Sequence, residues 1–218
     1  MELAPLLDEL PPDRRLALAY APAATRADHL AVFALDLRLS RLLAQQREPM
    51  LTQMRLAWWR DRLSEEATGF HHDEPVLALL ASWGTQRAQL AALVDGWEAL
   101  LAEPPMADFA VRNFAQGRAA AFAALAERAG AAGQAEEAAR AGFNWALADL
   151  AAHISDPEEL AVVKALIHTR DWSRPRIGKH LRPLALLHGL AARQRGNGAL
   201  LGGIRDGLAA IRLGLLGR

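Results

Sequence analysis

The sequence predicts an all-α fold: a single antiparallel helical bundle forming one domain over residues 1–218. Three observations carry the helical class. Ala and Leu dominate, while Val, Ile and Thr are scarce and there is one tyrosine, a composition that favours helix over strand. No run shows the period-two alternation of a half-buried strand. Pro and Gly divide the chain at intervals suited to helices joined by short connections.

Taken in order, residues 11–20 form a short helix, with prolines at its start and Pro22 just beyond its end. Residues 25–46 form a long one, with Thr25 as N-cap and Leu30, Phe33, Leu37 and Leu42 at helical spacing. Glu48-Pro49 restarts the chain, and a tryptophan-bearing helix runs over 50–66. "TGFHHDEP" is a connector. Helices over 75–83, 86–102 and 106–129 follow, then a turn at "GAAGQ" (130–134). Residues 135–153 and 157–169 form two more helices, the second capped by Asp156 before Pro157. "RDWSRPRIGKH" is the least regular stretch. Helices over 180–194 and 199–216 close the chain, separated by "RGNG".

Lys+Arg and Asp+Glu are both 25, so the chain has no net basic field to draw in nucleic acid. The absence of cysteine excludes disulfides, Cys-ligated zinc, iron–sulfur clusters and thiol catalysis. "MELAPLLDELPPDRR" has acids and prolines where a signal peptide needs a basic start and an apolar run. No stretch approaches the roughly 18 uninterrupted apolar residues of a membrane span. The expectation is a cytoplasmic protein, with attachment to the inner membrane face left open.

Phosphate-loop and metal patterns are weak. "GNGALLGG" (196–203) follows no strand and lacks the P-loop Lys-Ser/Thr, so it reads as a helix–helix turn. "HHDE" (71–74) lies in a connector, where adjacent side chains diverge. No metal ligands are assigned. Asp36 has no second acid one turn away in its helix, and Asp149 and Asp156 are separated by a helix break. The basic stretch 168–183 carries Arg170, Arg174, Arg176 and Lys179 around Trp172. It could meet phosphate or anionic headgroups, or form a solvated loop with an anchoring tryptophan.

The tryptophan helix contains "QMRLAWWRDRL" (53–63). Adjacent helical residues lie about 100° apart, so Trp58 and Trp59 cannot share a face. Leu51, Met54, Trp58 and Leu63 read as the core stripe. Arg55, Trp59 and Arg62 read as a second stripe, either a structural cation–π stack or the lining of a central cavity.

"YAPAATRADHLAVFALDLRLSRL" followed by "PMLTQMRLAWWRDRL" resembles the N-terminal half of the squalene/phytoene synthase family, with Arg-Leu-x-Trp-Trp-Arg-Asp the most specific part. It is similar to a divergent branch that includes mitochondrial complex I assembly factors. "AGFNWALADLAAHISD" (141–156) resembles, more weakly, the helix before the family's second acidic motif. The resemblance spans residues 15 to 195. It implies a helical bundle of the isoprenoid-synthase type, with two Mg²⁺-binding acidic motifs and a cavity for which Tyr20, Arg55, Trp59 and Arg62 are candidate lining residues. The first motif falls near Ser40, Arg41 and Ala44, none of them acidic. The second falls in "AAHISDPEEL" (151–160), which lacks the family's Asp-x-x-Glu-Asp and the following Gly-Arg.

The resemblance therefore implies a family member that has lost its metal sites. Its expected role is binding an isoprenoid or lipid, or assisting assembly of a membrane complex, with no cofactor. An active Mg²⁺-dependent prenyltransferase using Asp36, Asp149 and Asp156, with Glu158 and Glu159, is the alternative. A plain helical interaction module is the third reading.

Overall fold

The computed structural model describes residues 4–44, 48–64 and 74–201. Among these the protein is all-helical, with no strand. The helices are α1 (Ala4–Glu9), α2 (Pro12–Ala19), α3 (Ala23–Ala44), α4 (Pro49–Ser64), α5 (Pro75–Leu80), α6 (Ala91–Ala99), α7 (Asp108–Arg128), α8 (Ala135–Ala151), α9 (Pro157–His168) and α10 (Arg182–Gln194).

Proline opens α2, α5 and α9, where its missing N–H costs nothing because first-turn donors have no intrahelical partner. Asp156 caps α9 as expected, its Oδ1 accepting from the backbone N–H groups of Glu158 and Glu159. Three expectations change. Helix α3 starts at Ala23, so Thr25 is not its cap; the Thr25 hydroxyl instead donates to the carbonyl of His180. The stretch read as ending one helix at 83 and starting another at 86 is a 3-10 segment, Ala81–Leu90, broken by Gly84 at φ 54°. Only α1, which precedes Pro11-Pro12, has no counterpart in the sequence reading. Residues 199–201 are not helical, and the rest of the 199–216 helix lies outside the described residues, as do His71, His72 and Asp73.

Helices α6, α7 and α8 form the spine, consecutive helices running antiparallel: Trp97 meets Phe114 while Ala92 lies beside Gly117, and Phe122 meets Gly142 while Arg118 reaches Asp149. One contiguous core runs through the bundle from Leu6 to Leu200. At the α6–α7 crossing two glycines let the backbones touch. A Cβ on Gly117 would stand 2.5 Å from the Ala92 carbonyl oxygen and 3.0 Å from the Gly96 Cα. This close approach brings the next residue of each helix, Trp97 and Arg118, to the same point.

Helix α4 shows where the two tryptophans go. Its buried stripe is Thr52, Leu56, Trp59 and Leu63, which follows i, i+4, i+7, i+11. The stripe Leu51, Met54, Trp58 and Leu63 is not the core face. Leu51, Met54 and Trp58 are exposed, and Leu63 lies well round the helix from them. Trp59 is 5 % exposed and Trp58 38 %. Their rings meet edge-on at 5.2 Å, and the Arg62 guanidinium sits 5.8 Å from the Trp58 ring rather than over Trp59. Trp59→Ala is expected to cost about 3–5 kcal/mol and Trp58→Ala less than about 1 kcal/mol, read from urea unfolding midpoints.

Candidate functional site

Four charged side chains from four helices meet inside the bundle: Arg14 (α2), Asp36 (α3), Arg118 (α7) and Asp149 (α8). Asp36, Arg118 and Asp149 each stand in a largely apolar stretch of their helix, as in "FAQGRAAAFAALA" around Arg118, while Arg14 stands between Asp13 and Arg15 in the first turn of α2. The helical period turns each of them inward with its apolar neighbours.

Arg118 grips Asp36 with two parallel bonds: Nε donates to Oδ1 at 3.0 Å and Nη2 to Oδ2 at 2.9 Å. Its Nη1 donates to Asp149 Oδ2 at 2.6 Å. Arg14 closes the ring, with Nη1 at 3.2 Å from Asp36 Oδ2 and Nη2 donating to Asp149 Oδ2 at 3.1 Å. Trp97 Nε1 donates to Asp36 Oδ1 at 2.8 Å. Aromatic faces surround the cations. The Arg118 guanidinium lies 4.3 Å from the Trp145 ring and 4.7 Å from Phe114, and Arg14 lies 5.2 Å from Trp145.

Burial alone would raise the Asp149 pKa, but Arg118, Arg14 and His153 outweigh it and hold the carboxyl at about 2. Burial likewise opposes the Arg118 charge, and the two aspartates more than reverse that. The cluster sets two guanidiniums against two carboxylates in the interior, each buried charge facing opposite ones.

Above this cluster lies a cavity of about 510 Å³. Leu37, Trp97, Phe114, Leu150, Leu200 and Leu201 give it apolar walls. Asp13, Arg14, Arg118, Asp149 and His153 mark its polar floor, and Ser40, Arg41 and Ala44 line its α3 side. Asp13 is half-buried, and desolvation raises its pKa despite the neighbouring Arg14 charge. Arg41 is paired with Glu9.

The structure thus brings Asp36 and Asp149 together, as the transferase alternative requires, but with two guanidiniums between them. A hard divalent cation needs several carboxylate or carbonyl oxygens turned toward one point. Both Asp36 oxygens and Asp149 Oδ2 are instead turned to arginine, and among the described residues no group of three or more His, Asp or Glu could hold a metal. The residues present do not fit Mg²⁺.

Asp156 does not join them. It is exposed and occupied as the α9 cap, while Glu159 Oε1 accepts from the Met106 backbone N–H. The candidate residues Tyr20, Arg55, Trp59 and Arg62 do not line the cavity. Tyr20 caps the end of α2, Arg55 is exposed and Trp59 is core. The reason is geometric: α4 packs on α3 and α6 from the outside and does not reach the centre.

The basic segment is also apart from the cavity. It is strapped across α8: Arg170 Nε donates to Asn144 Oδ1, Asn144 Nδ2 donates to the Asp171 carbonyl, and the Arg176 N–H donates to Glu137. Trp172 Nε1 donates to the Ile167 carbonyl, which anchors the strap. Arg174, Arg176 and Lys179 remain exposed. Sequence reading missed Arg14, Arg118 and Trp97; the lone charge in the apolar run around Arg118 was the available signal.

No family model, curated protein or solved structure matches the chain.

Proposed function

We propose that the protein is a divergent, non-catalytic relative of the squalene/phytoene synthases whose cavity binds the apolar chain of an isoprenoid or other lipid without Mg²⁺. The observation that carries this is the Arg14–Asp36–Arg118–Asp149 ring, in which arginines occupy the space between the carboxylates that a metal would need. The apolar walls and volume of the cavity support a lipid chain as occupant. The resemblance adds support, since the non-acidic residues at its first motif, Ser40, Arg41 and Ala44, line the same cavity. Without a metal there is no group to screen a diphosphate or draw it off as a leaving group, so prenyl transfer loses its main electrostatic assistance. The proposed location is cytoplasmic, at the inner membrane face where such lipids partition; no described helix is long and apolar enough to cross a membrane.

A second reading, as a helper in assembling a membrane complex, draws on a different observation. Met50, Leu51, Met54 and Trp58 form an exposed apolar stripe on α4, opposite its core face.

The test is binding of farnesyl and geranylgeranyl compounds with and without Mg²⁺, with product analysis on the same samples. The expected result is retention of the chain, indifferent to Mg²⁺ or EDTA, with no product. Mg²⁺-dependent turnover abolished by Asp36→Asn and Asp149→Asn would restore the transferase.

A further inference from the structure

The polar floor of the cavity says what kind of head group the bound chain carries. Three arginines line the cavity, and each is already paired: Arg14 and Arg118 with Asp36 and Asp149, and Arg41 with Glu9. Against these three guanidiniums stand four carboxylates, those of Asp13, Asp36, Asp149 and Glu9. A phosphate or diphosphate entering here would find every lining guanidinium already ion-paired to a carboxylate, the Arg14 Nε being buried without a partner, and two carboxylates, Asp13 and Asp149, lining the same space. Like charges at close range in a partly desolvated site repel strongly.

What the floor does offer is hydrogen-bond acceptance. Both guanidiniums bond Oδ2 of Asp149, while its Oδ1 stands 3.9 Å from His153 Nδ1. Asp13 presents a second carboxyl on the first turn of α2. The matching head is uncharged and brings a donor of its own, which a hydroxyl does and a quinone or ketone carbonyl does not.

Resting on the cavity-binding reading above, we infer that the natural occupant is a long-chain alcohol, an apolar chain ended by a free hydroxyl that donates to Asp13, and not the corresponding phosphate ester.

The experiment is calorimetric titration of the full chain, without Mg²⁺, with farnesol, 1-dodecanol, farnesene and farnesyl diphosphate. At least one alcohol is expected to bind about tenfold more tightly than farnesene, the weight of one hydrogen bond to a charged acceptor. Farnesyl diphosphate is expected to fall about tenfold or more below that alcohol. Farnesol above dodecanol identifies an isoprenoid source, and the reverse a straight-chain one. Asp13→Leu, checked for a wild-type melting curve, should bring the alcohol level with farnesene while farnesene binding persists. Diphosphate binding as tight as the alcohol, or alcohol no tighter than farnesene, overturns the inference and leaves the cavity reading standing. Failure of all four probes removes both.

Discussion

Replacing Arg118 with methionine is expected to destabilise the fold by about 3–5 kcal/mol, among the largest effects of any single change, because it strips the bidentate partner from Asp36 and leaves buried carboxylates under-compensated. The loss is electrostatic rather than steric, since methionine keeps most of the volume packed against Trp145 and Phe114. Removing all four charges together, as in Arg14→Met and Arg118→Met with Asp36→Leu and Asp149→Leu, should cost less than the single change, because no buried charge is then orphaned.

Acid adds an independent reading of the same cluster. The folded Asp149 pKa of about 2 lies below the ordinary 3.8. Its ionised form therefore contributes stability that is fully present above the ordinary carboxylate range and lost as pH falls toward 2, a contribution of about 2 kcal/mol. Urea unfolding across the acid range should show stability falling over that window in the wild type. In Arg118→Met the Asp149 share of that fall should shrink, because the principal cation holding the carboxyl down is gone and its folded pKa moves back up toward or past the ordinary value.

Gly117→Ala is the second large effect. Helix propensity alone would make the change stabilising by about 1 kcal/mol. Here the added Cβ meets the Ala92 carbonyl oxygen at 2.5 Å, and backbone cannot swing aside as a side chain can. The net expectation is destabilisation by about 1–3 kcal/mol, read from the unfolding midpoint. Gly133→Ala, where nothing lies within 4 Å of the new Cβ, is the control and should be close to neutral. Because Gly96 and Gly117 directly precede Trp97 and Arg118, separating α6 from α7 should also weaken lipid binding in the cavity. The Gly133 variant should bind as the wild type does.

Much of the helical layout was legible from local chemistry. Prolines at helix starts, Asp156 before Pro157 and the apolar period of α7 and α8 each act within one or two turns, so sequence spacing reports them directly. The candidate site was legible only in half. Asp36 and Asp149 stood out as lone acids in apolar runs, but their chemical meaning depends on Arg14 and Arg118, which are 22 and 82 residues from Asp36 in the chain. A carboxylate reads the same in sequence whether it faces a metal or a guanidinium. The stripes on α4 misled for a related reason: with large apolar residues on both sides of the helix, pattern alone cannot say which side meets the core. Trp59 followed the strict helical period with Thr52, Leu56 and Leu63, and the core took that side.

The claim on which the account turns is that arginine has taken the place of metal between Asp36 and Asp149. Titration of the purified protein with Mn²⁺, followed by electron paramagnetic resonance with and without farnesyl diphosphate, tests it most directly. The account predicts that the protein takes up no Mn²⁺ beyond what the diphosphate binds in buffer alone. Stoichiometric Mn²⁺ uptake that Asp36→Asn and Asp149→Asn abolish would contradict it.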